Sequence, residues 1–170
     1  MEEGLRRRHP TATTAIALGG LIPVLTVAAL NADGRILDPL TLVLVAGAAA
    51  SNITDVRFAG RLWVSGSFLC CLLGAAVLGP SAGAFIALSS ELAAWAWGRF
   101  ALAPLATNCL GAVAPTWLAG VALAALTPYV GTEGLDFDLA LAGVACLDLA
   151  ANIAIVASLM ALHEDLPLLK

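Results

Sequence analysis

Four polar residues interrupt otherwise apolar stretches of this sequence: Glu91, Asn108, Asp148 and Asn152. Glu91 stands in the second half of GPSAGAFIALSSELAAW (79–95), a segment otherwise suited to hydrocarbon. An ionised carboxylate is costly in such surroundings, which makes an intramembrane acid a functional candidate by default. Asp148 and Asn152 are four residues apart and share one face if their segment is helical. The chemistry open to these four is that of a polar pocket or a proton-responsive site. The other reading is interhelical adhesion, each carboxylate protonated or hydrogen-bonded to an amide, contributing on the order of 0.6 to 2 kcal/mol per bond. Adhesion is favoured for the two asparagines. For the two carboxylates both readings stand.

The elements that must position these groups follow from composition. Of the 170 residues 61% are hydrophobic and 12% charged, with a formal net charge of −4, and the mean hydropathy is +0.95. The charged share is about half of the roughly 25% usual in soluble domains. A chain so poor in polar groups cannot cover itself in water, whereas lipid removes that need. The expectation is an all-α, polytopic membrane bundle forming a single domain over residues 1–170. A helix crossing the hydrocarbon core needs about 20 residues, and the apolar runs are 13–30, 39–54, 63–78, 81–98, 103–126 and 137–162. Six spans are therefore expected, the second and third short.

Turn chemistry separates the runs. Asn31, Asp33 and Gly34 follow the first, and Pro39 suits the first turn of the second. Gly79-Pro80 stops the third and Ser81 is placed to cap the fourth, making an antiparallel hairpin. Pro104 sits at the start of the fifth, Pro115 predicts a kink within it, and TPYVGTEGLDFD (127–138) is the longest outer connection. Arg6, Arg7, Arg8, Arg57, Arg61, Arg99 and Lys170 then fall on one side and Arg35 alone on the other. That bias places both termini in the cytoplasm, with Trp63, Trp95 and Trp97 near the inner interface and Tyr129 near the outer one. The charged N-terminus followed by an apolar run reads as a retained first span, since no small-residue cleavage site follows it.

On these directions Glu91 and Asn108 both sit roughly 8–9 Å deep from the cytoplasmic side, at about 1.5 Å per residue, and a hydrogen bond between them is expected. Asp148 lies nearer mid-membrane and Asn152 nearer the depth of Glu91. Small-residue ridges at four-residue spacing, Asn108, Ala112, Thr116, Gly120, Ala124 and Gly83, Ala87, Glu91, turn the polar groups inward. The segment SNITDVRFAGRLW (51–63) supplies a second cluster. Its Asp55, Arg57 and Arg61, with Arg99, form a candidate cytoplasmic interface, meeting lipid phosphates or a partner.

Other chemistry finds no motif. Cys70, Cys71, Cys109 and Cys146 lie in apolar segments without CxxC spacing, so they read as small hydrophobes. His9 and His163 are isolated, and the sequence has no glycine-rich phosphate loop and no nucleophile elbow. No catalytic activity, metal, cofactor or nucleic-acid partner is expected.

The order of features in RLWVSGSFLCCLLGAAVLGPSAGAFIALSSELAAW, APLATNCLGAVAPTWLAGVALAAL and ANIAIVASLMALHEDLP resembles the multi-span N-terminal membrane modules of bacterial HD-type phosphohydrolase and GGDEF diguanylate cyclase signalling proteins. The matching positions are Ser67, Phe68, Gly79, Pro80, Ala82, Glu91, Asn108 and Asn152, within about residues 50–167. The resemblance implies a sensory or anchoring module of the inner membrane, coupled through its C-terminus to a cytoplasmic signalling domain or partner. No catalytic domain follows Lys170, so the chain reads as a stand-alone module or as one part of a longer polypeptide. The competing expectation is a small-molecule-binding membrane subunit like the substrate components of energy-coupling-factor transporters, or a small secondary transporter.

Overall fold

The computed structural model describes residues 10–54, 56–58 and 62–164. Six α-helices carry the fold: α1 Pro10–Leu30, α2 Pro39–Ile53, α3 Ser67–Leu78, α4 Pro80–Gly98, α5 Leu102–Val130 and α6 Leu135–Glu164. A 3-10 turn, Gly34–Leu37, precedes α2. Between α2 and α3 an antiparallel pair, β1 Val56–Phe58 and β2 Leu62–Val64, aligns Val56 with Val64, Arg57 with Trp63 and Phe58 with Leu62.

The fold is thus all-α in its bundle, with one small hairpin that the hydropathy pattern hides. The third apolar run is expected to be helical from residue 63, but Leu62–Val64 is extended and α3 begins only at Ser67. The reason is local. Leu, Trp and Val favour a pleated strand when a partner is near, and Ser65 Oγ accepts a hydrogen bond from the Ser67 amide at 3.1 Å, turning the chain into the helix. α3 therefore has 12 residues and a length of about 18 Å at 1.5 Å per residue.

Other boundaries follow the expected chemistry. Asp38 caps α2, accepting from the Leu40 amide at 2.8 Å, and Pro39 occupies the first helical position, where its missing N–H costs nothing. Gly79, at φ 101°, both ends α3 and starts α4. Ser81 is consequently not the cap it was expected to be. Its hydroxyl instead donates to the Ala28 carbonyl at 2.9 Å, fastening the start of α4 to the end of α1 in a buried position. α5 runs unbroken through Pro115.

Among the described residues three helices are long and apolar enough to cross a membrane: Thr11–Leu30, Leu102–Val130 and Leu135–Leu162, with mean hydropathies of 2.0, 1.8 and 2.1. α2 and α3 are apolar but shorter. α5 is the hub, packed against α1, α3, α4 and α6, while α2 packs on α3 and α4. Where helices meet, glycine lets the backbones close. A Cβ on Gly83 would lie 2.6 Å from Ala75 Cβ, and one on Gly120 only 2.7 Å from Pro80 Cα. Gly120 lies ten residues before the end of α5, so the α3–α4 turn packs well short of that end, and the α5–α6 hairpin continues past it. The expected ridges are thus half right: Gly83, Ala87, Thr116 and Gly120 are buried, while Ala124 is exposed.

These contacts set a stability prediction. Gly120→Ala should destabilise the bundle by about 1–3 kcal/mol, because its neighbour is backbone and cannot yield. Gly143→Ala in α6, where a Cβ would meet nothing within 4 Å, should be neutral or gain about 0.5–1 kcal/mol from helix propensity. Unfolding of the purified protein in mild detergent measures both; equal losses at the two positions would refute close packing at Gly120.

Candidate functional site

Two polar layers lie inside the bundle. The first is built from the last turn of α2, the residues before α3 and the second half of α4. Asn52 Nδ2 donates to Glu91 Oε1 at 3.0 Å and to Ser90 Oγ at 3.3 Å. Asn52 Oδ1 in turn accepts from Ser65 Oγ at 2.6 Å, and Ser65 Oγ lies 3.0 Å from Ser67 Oγ. Ser90, 1% exposed, donates to the Ala87 carbonyl at 2.9 Å. One amide therefore joins three segments, using its donors on α4 and its acceptor on the linker.

The expected Glu91–Asn108 hydrogen bond is not formed; among the described residues the partner of Glu91 is Asn52. α4 and α5 are joined by a short link, but a shared level along two helices does not fix azimuth. α2 packs along α4 and brings its amide to the carboxylate. Asn108 is half-buried on α5 and makes no hydrogen bond among the described residues. Asn152 is also half-buried, on α6 beside Gly111.

The second layer centres on Asp148, which is 4% exposed. Its Oδ2 is buried without a hydrogen-bond partner, and so is Trp117 Nε1. Cys71 on α3 lies within electrostatic range of Asp148 and of Glu91, and Cys109 on α5 within that of Glu91. The two layers are thus neighbours. Asp148 and Asn152, placed on one face by their spacing, meet different surroundings: Asn152 lies beside Gly111 of α5, and Asp148 lies within electrostatic range of Cys71 on α3.

Of the candidate interface, Asp55 and Arg61 lie outside the described residues, and Arg57 is placed only as the central residue of β1. Arg99 is exposed and ends α4 in the left-handed conformation, φ 49°, its amide donating to the Trp95 carbonyl at 2.7 Å. Trp95 Nε1 donates to the Phe100 carbonyl at 2.9 Å, closing the same turn. Arg99 is therefore a helix-ending residue. No cluster of three or more metal-binding side chains occurs among the described residues.

Sequence reasoning missed Ser65, Ser90 and Trp117. The run Ser89-Ser90-Glu91 was a visible signal, since adjacent hydroxyls beside an acid in an apolar helix need an acceptor or donor nearby. Trp117 gave none, because an indole reads as apolar until its N–H is found without a partner.

The network predicts unequal asparagines. Asn52→Ala should cost about 1–3 kcal/mol by stripping Glu91, Ser90 and Ser65 of a partner. Asn108→Ala should stay within about 0.5 kcal/mol, as substitutions away from such features do. Chemical unfolding in detergent compares them; a larger loss at Asn108 would restore it as the partner of Glu91. Comparison with protein-family models, curated proteins and solved structures finds no match to this chain.

Proposed function

We propose that this chain is a non-catalytic, multi-pass module of a bacterial cytoplasmic (inner) membrane, with six crossings and both termini inside, serving as the sensory or anchoring part of a signalling system. The observation that carries the reading is the inverted polarity of the bundle. Leu30, Leu37, Leu135 and Leu147 are each at least 70% exposed, while Asp148, Thr41, Thr107 and Ser90 are buried. A surface of that kind is stable against lipid and would associate in water. α2 and α3 fall short of about 30 Å and would span by local thinning or as a partly re-entrant pair.

The sensory or anchoring part rests on α6. It packs chiefly along α5 and leaves most of its length on the outer surface. A shift of α6 against α5 would carry to its final residues, on the side where the arginines gather. A capture subunit for a water-soluble molecule would want an enclosed polar cavity. Two clefts among the described residues are open, largely apolar grooves. One of about 330 Å³ is lined by Leu110, Ala154, Ile155, Ser158 and Leu159, and one of about 610 Å³ lies between the starts of α1 and α5.

In a background with the native cysteines replaced by alanine, Glu133→Cys should react with an impermeant thiol reagent on intact cells. Arg99→Cys should react only after permeabilisation. The reverse pattern would turn the molecule over and remove cytoplasmic coupling. A photocrosslinking residue in place of Leu162 should recover a cyclase- or phosphohydrolase-type signalling enzyme from native membranes. Recovery of a pair of transporter ATPases would replace the proposal with the capture-subunit reading.

A further inference from the structure

The groove of about 610 Å³ between the starts of α1 and α5 is lined by Thr11, Thr14, Ala15 and Leu18 and by residues 101–103. Its volume is that of a ligand site, roughly 300–1,000 Å³, and its lining side chains are aliphatic apart from two threonine hydroxyls. Ala17 packs with Ala106, and a Cβ on Gly20 would lie 3.1 Å from Leu110. α1 and α5 therefore run parallel and begin side by side. Along α1 the groove reaches from Thr11 to Leu18, about 10 Å at 1.5 Å per residue. Leu18 and Leu102 are exposed along it, so it opens sideways, to lipid on the membrane reading proposed above.

The mouth of this apolar groove is electrically positive. Arg99 is exposed and stands two residues before Ala101. In the sequence Arg6, Arg7 and Arg8 come shortly before Thr11, and no acid lines the groove. Both helices begin here, and a helix start carries partial positive charge on amides that lack an acceptor. At α5 the capping residue, Ala101, makes no side-chain bond, Pro104 has no N–H, and the Leu105 amide bonds the Ala101 carbonyl at 3.4 Å. The amides of Leu102 and Ala103 are left for another acceptor. Charge then selects among occupants. A second copy docked through the same face would set arginine against arginine. An uncharged chain would leave the mouth unmatched. A molecule with a hydrocarbon tail and an anionic phosphate matches both ends of the groove.

We infer that this groove binds one anionic glycerophospholipid, an acyl chain lying along Ala15 and Leu18 and the phosphate at the start of α5 beside Arg99. Guanidinium suits phosphate through paired N–H donors, and helix-start amides add donors of the same kind. Because Arg99 ends α4, a phosphate held there ties the α4–α5 turn to the start of α1. The site rests on the membrane reading of the bundle but not on its orientation.

The test titrates the full chain in mild detergent with dioleoyl phosphatidylglycerol, dioleoyl phosphatidylcholine or inorganic phosphate, and counts bound molecules by native mass spectrometry. The first phosphatidylglycerol should bind at least about fivefold more tightly than phosphatidylcholine, the effect of one basic residue at an anionic surface. Arg99→Asn removes the charge and keeps a residue tolerant of the left-handed conformation. It should weaken phosphatidylglycerol by about fivefold and leave phosphatidylcholine unchanged. Ala15→Phe, at an exposed position in the groove, should block the acyl chain and weaken both lipids. Arg35→Asn, in the turn between α1 and α2, should change neither. Equal binding of the two lipids, phosphatidylglycerol binding untouched by Arg99→Asn, or inorganic phosphate retained as strongly as lipid would each overturn the inference. So would a lipid-free dimer that Ala15→Phe dissociates. If Ala15→Phe does not fold, Arg99→Asn and the headgroup comparison still decide. Flotation with phosphatidylcholine vesicles scores insertion separately. A chain that does not float defeats the membrane reading, whereas one that floats without headgroup preference defeats this inference alone.

Discussion

Helices surrounded by lipid gain little from hiding apolar side chains from one another, because hydrocarbon is as apolar as leucine. What remains is the closeness of their approach and the polar groups they share. The packing of α5 with α3 and α4 rests on that condition. Gly120 lies against Pro80, and Gly83 against Ala75, at distances no side chain could occupy. These contacts place the α3–α4 turn well short of the end of α5. They also orient the face of α4 that carries Ser90 and Glu91 towards α2. Without the glycine contacts α4 would stand farther from α3 and α5.

The two polar layers solve the problem of buried polarity in different ways. Around Asn52 every described polar atom finds a partner, and a satisfied network of this kind fixes the relation of α2, α4 and the linker. At Asp148 the opposite holds: its Oδ2 is buried without a hydrogen-bond partner. A fully satisfied network resists change, whereas an unsatisfied one is a place where a small change in charge has a large effect. The bundle thus has a satisfied polar network joining α2 and α4 and an unsatisfied buried carboxylate on α6.

Much of this was legible from residues alone, and the failures are informative. The helices, their order and most of their ends followed from hydropathy and from Pro39 and Gly79, although the fifth run was expected to stop at 126 and α5 continues to Val130. The paired strands Val56–Phe58 and Leu62–Val64 were missed because an apolar run of this length reads alike as helix or strand, and only a partner strand decides. Ser81 was misread as a cap because its alternative acceptor, the Ala28 carbonyl, is 53 positions away. Glu91 was assigned to Asn108 on depth, which helical rise gives well. Rotation about the helix axis, which chooses among neighbours, depends on which helices are adjacent.

The sequence by itself determined an apolar, all-helical bundle and the order of its helices, because composition and hydropathy pattern depend on no other segment. The tertiary structure alone decided that Asn52 of α2 rather than Asn108 of α5 bonds Glu91, that Gly120 meets Pro80 and that Asp148 is buried without a hydrogen-bond partner. Those facts require contacts between residues far apart in the chain, set by how closely particular glycines allow particular backbones to pack.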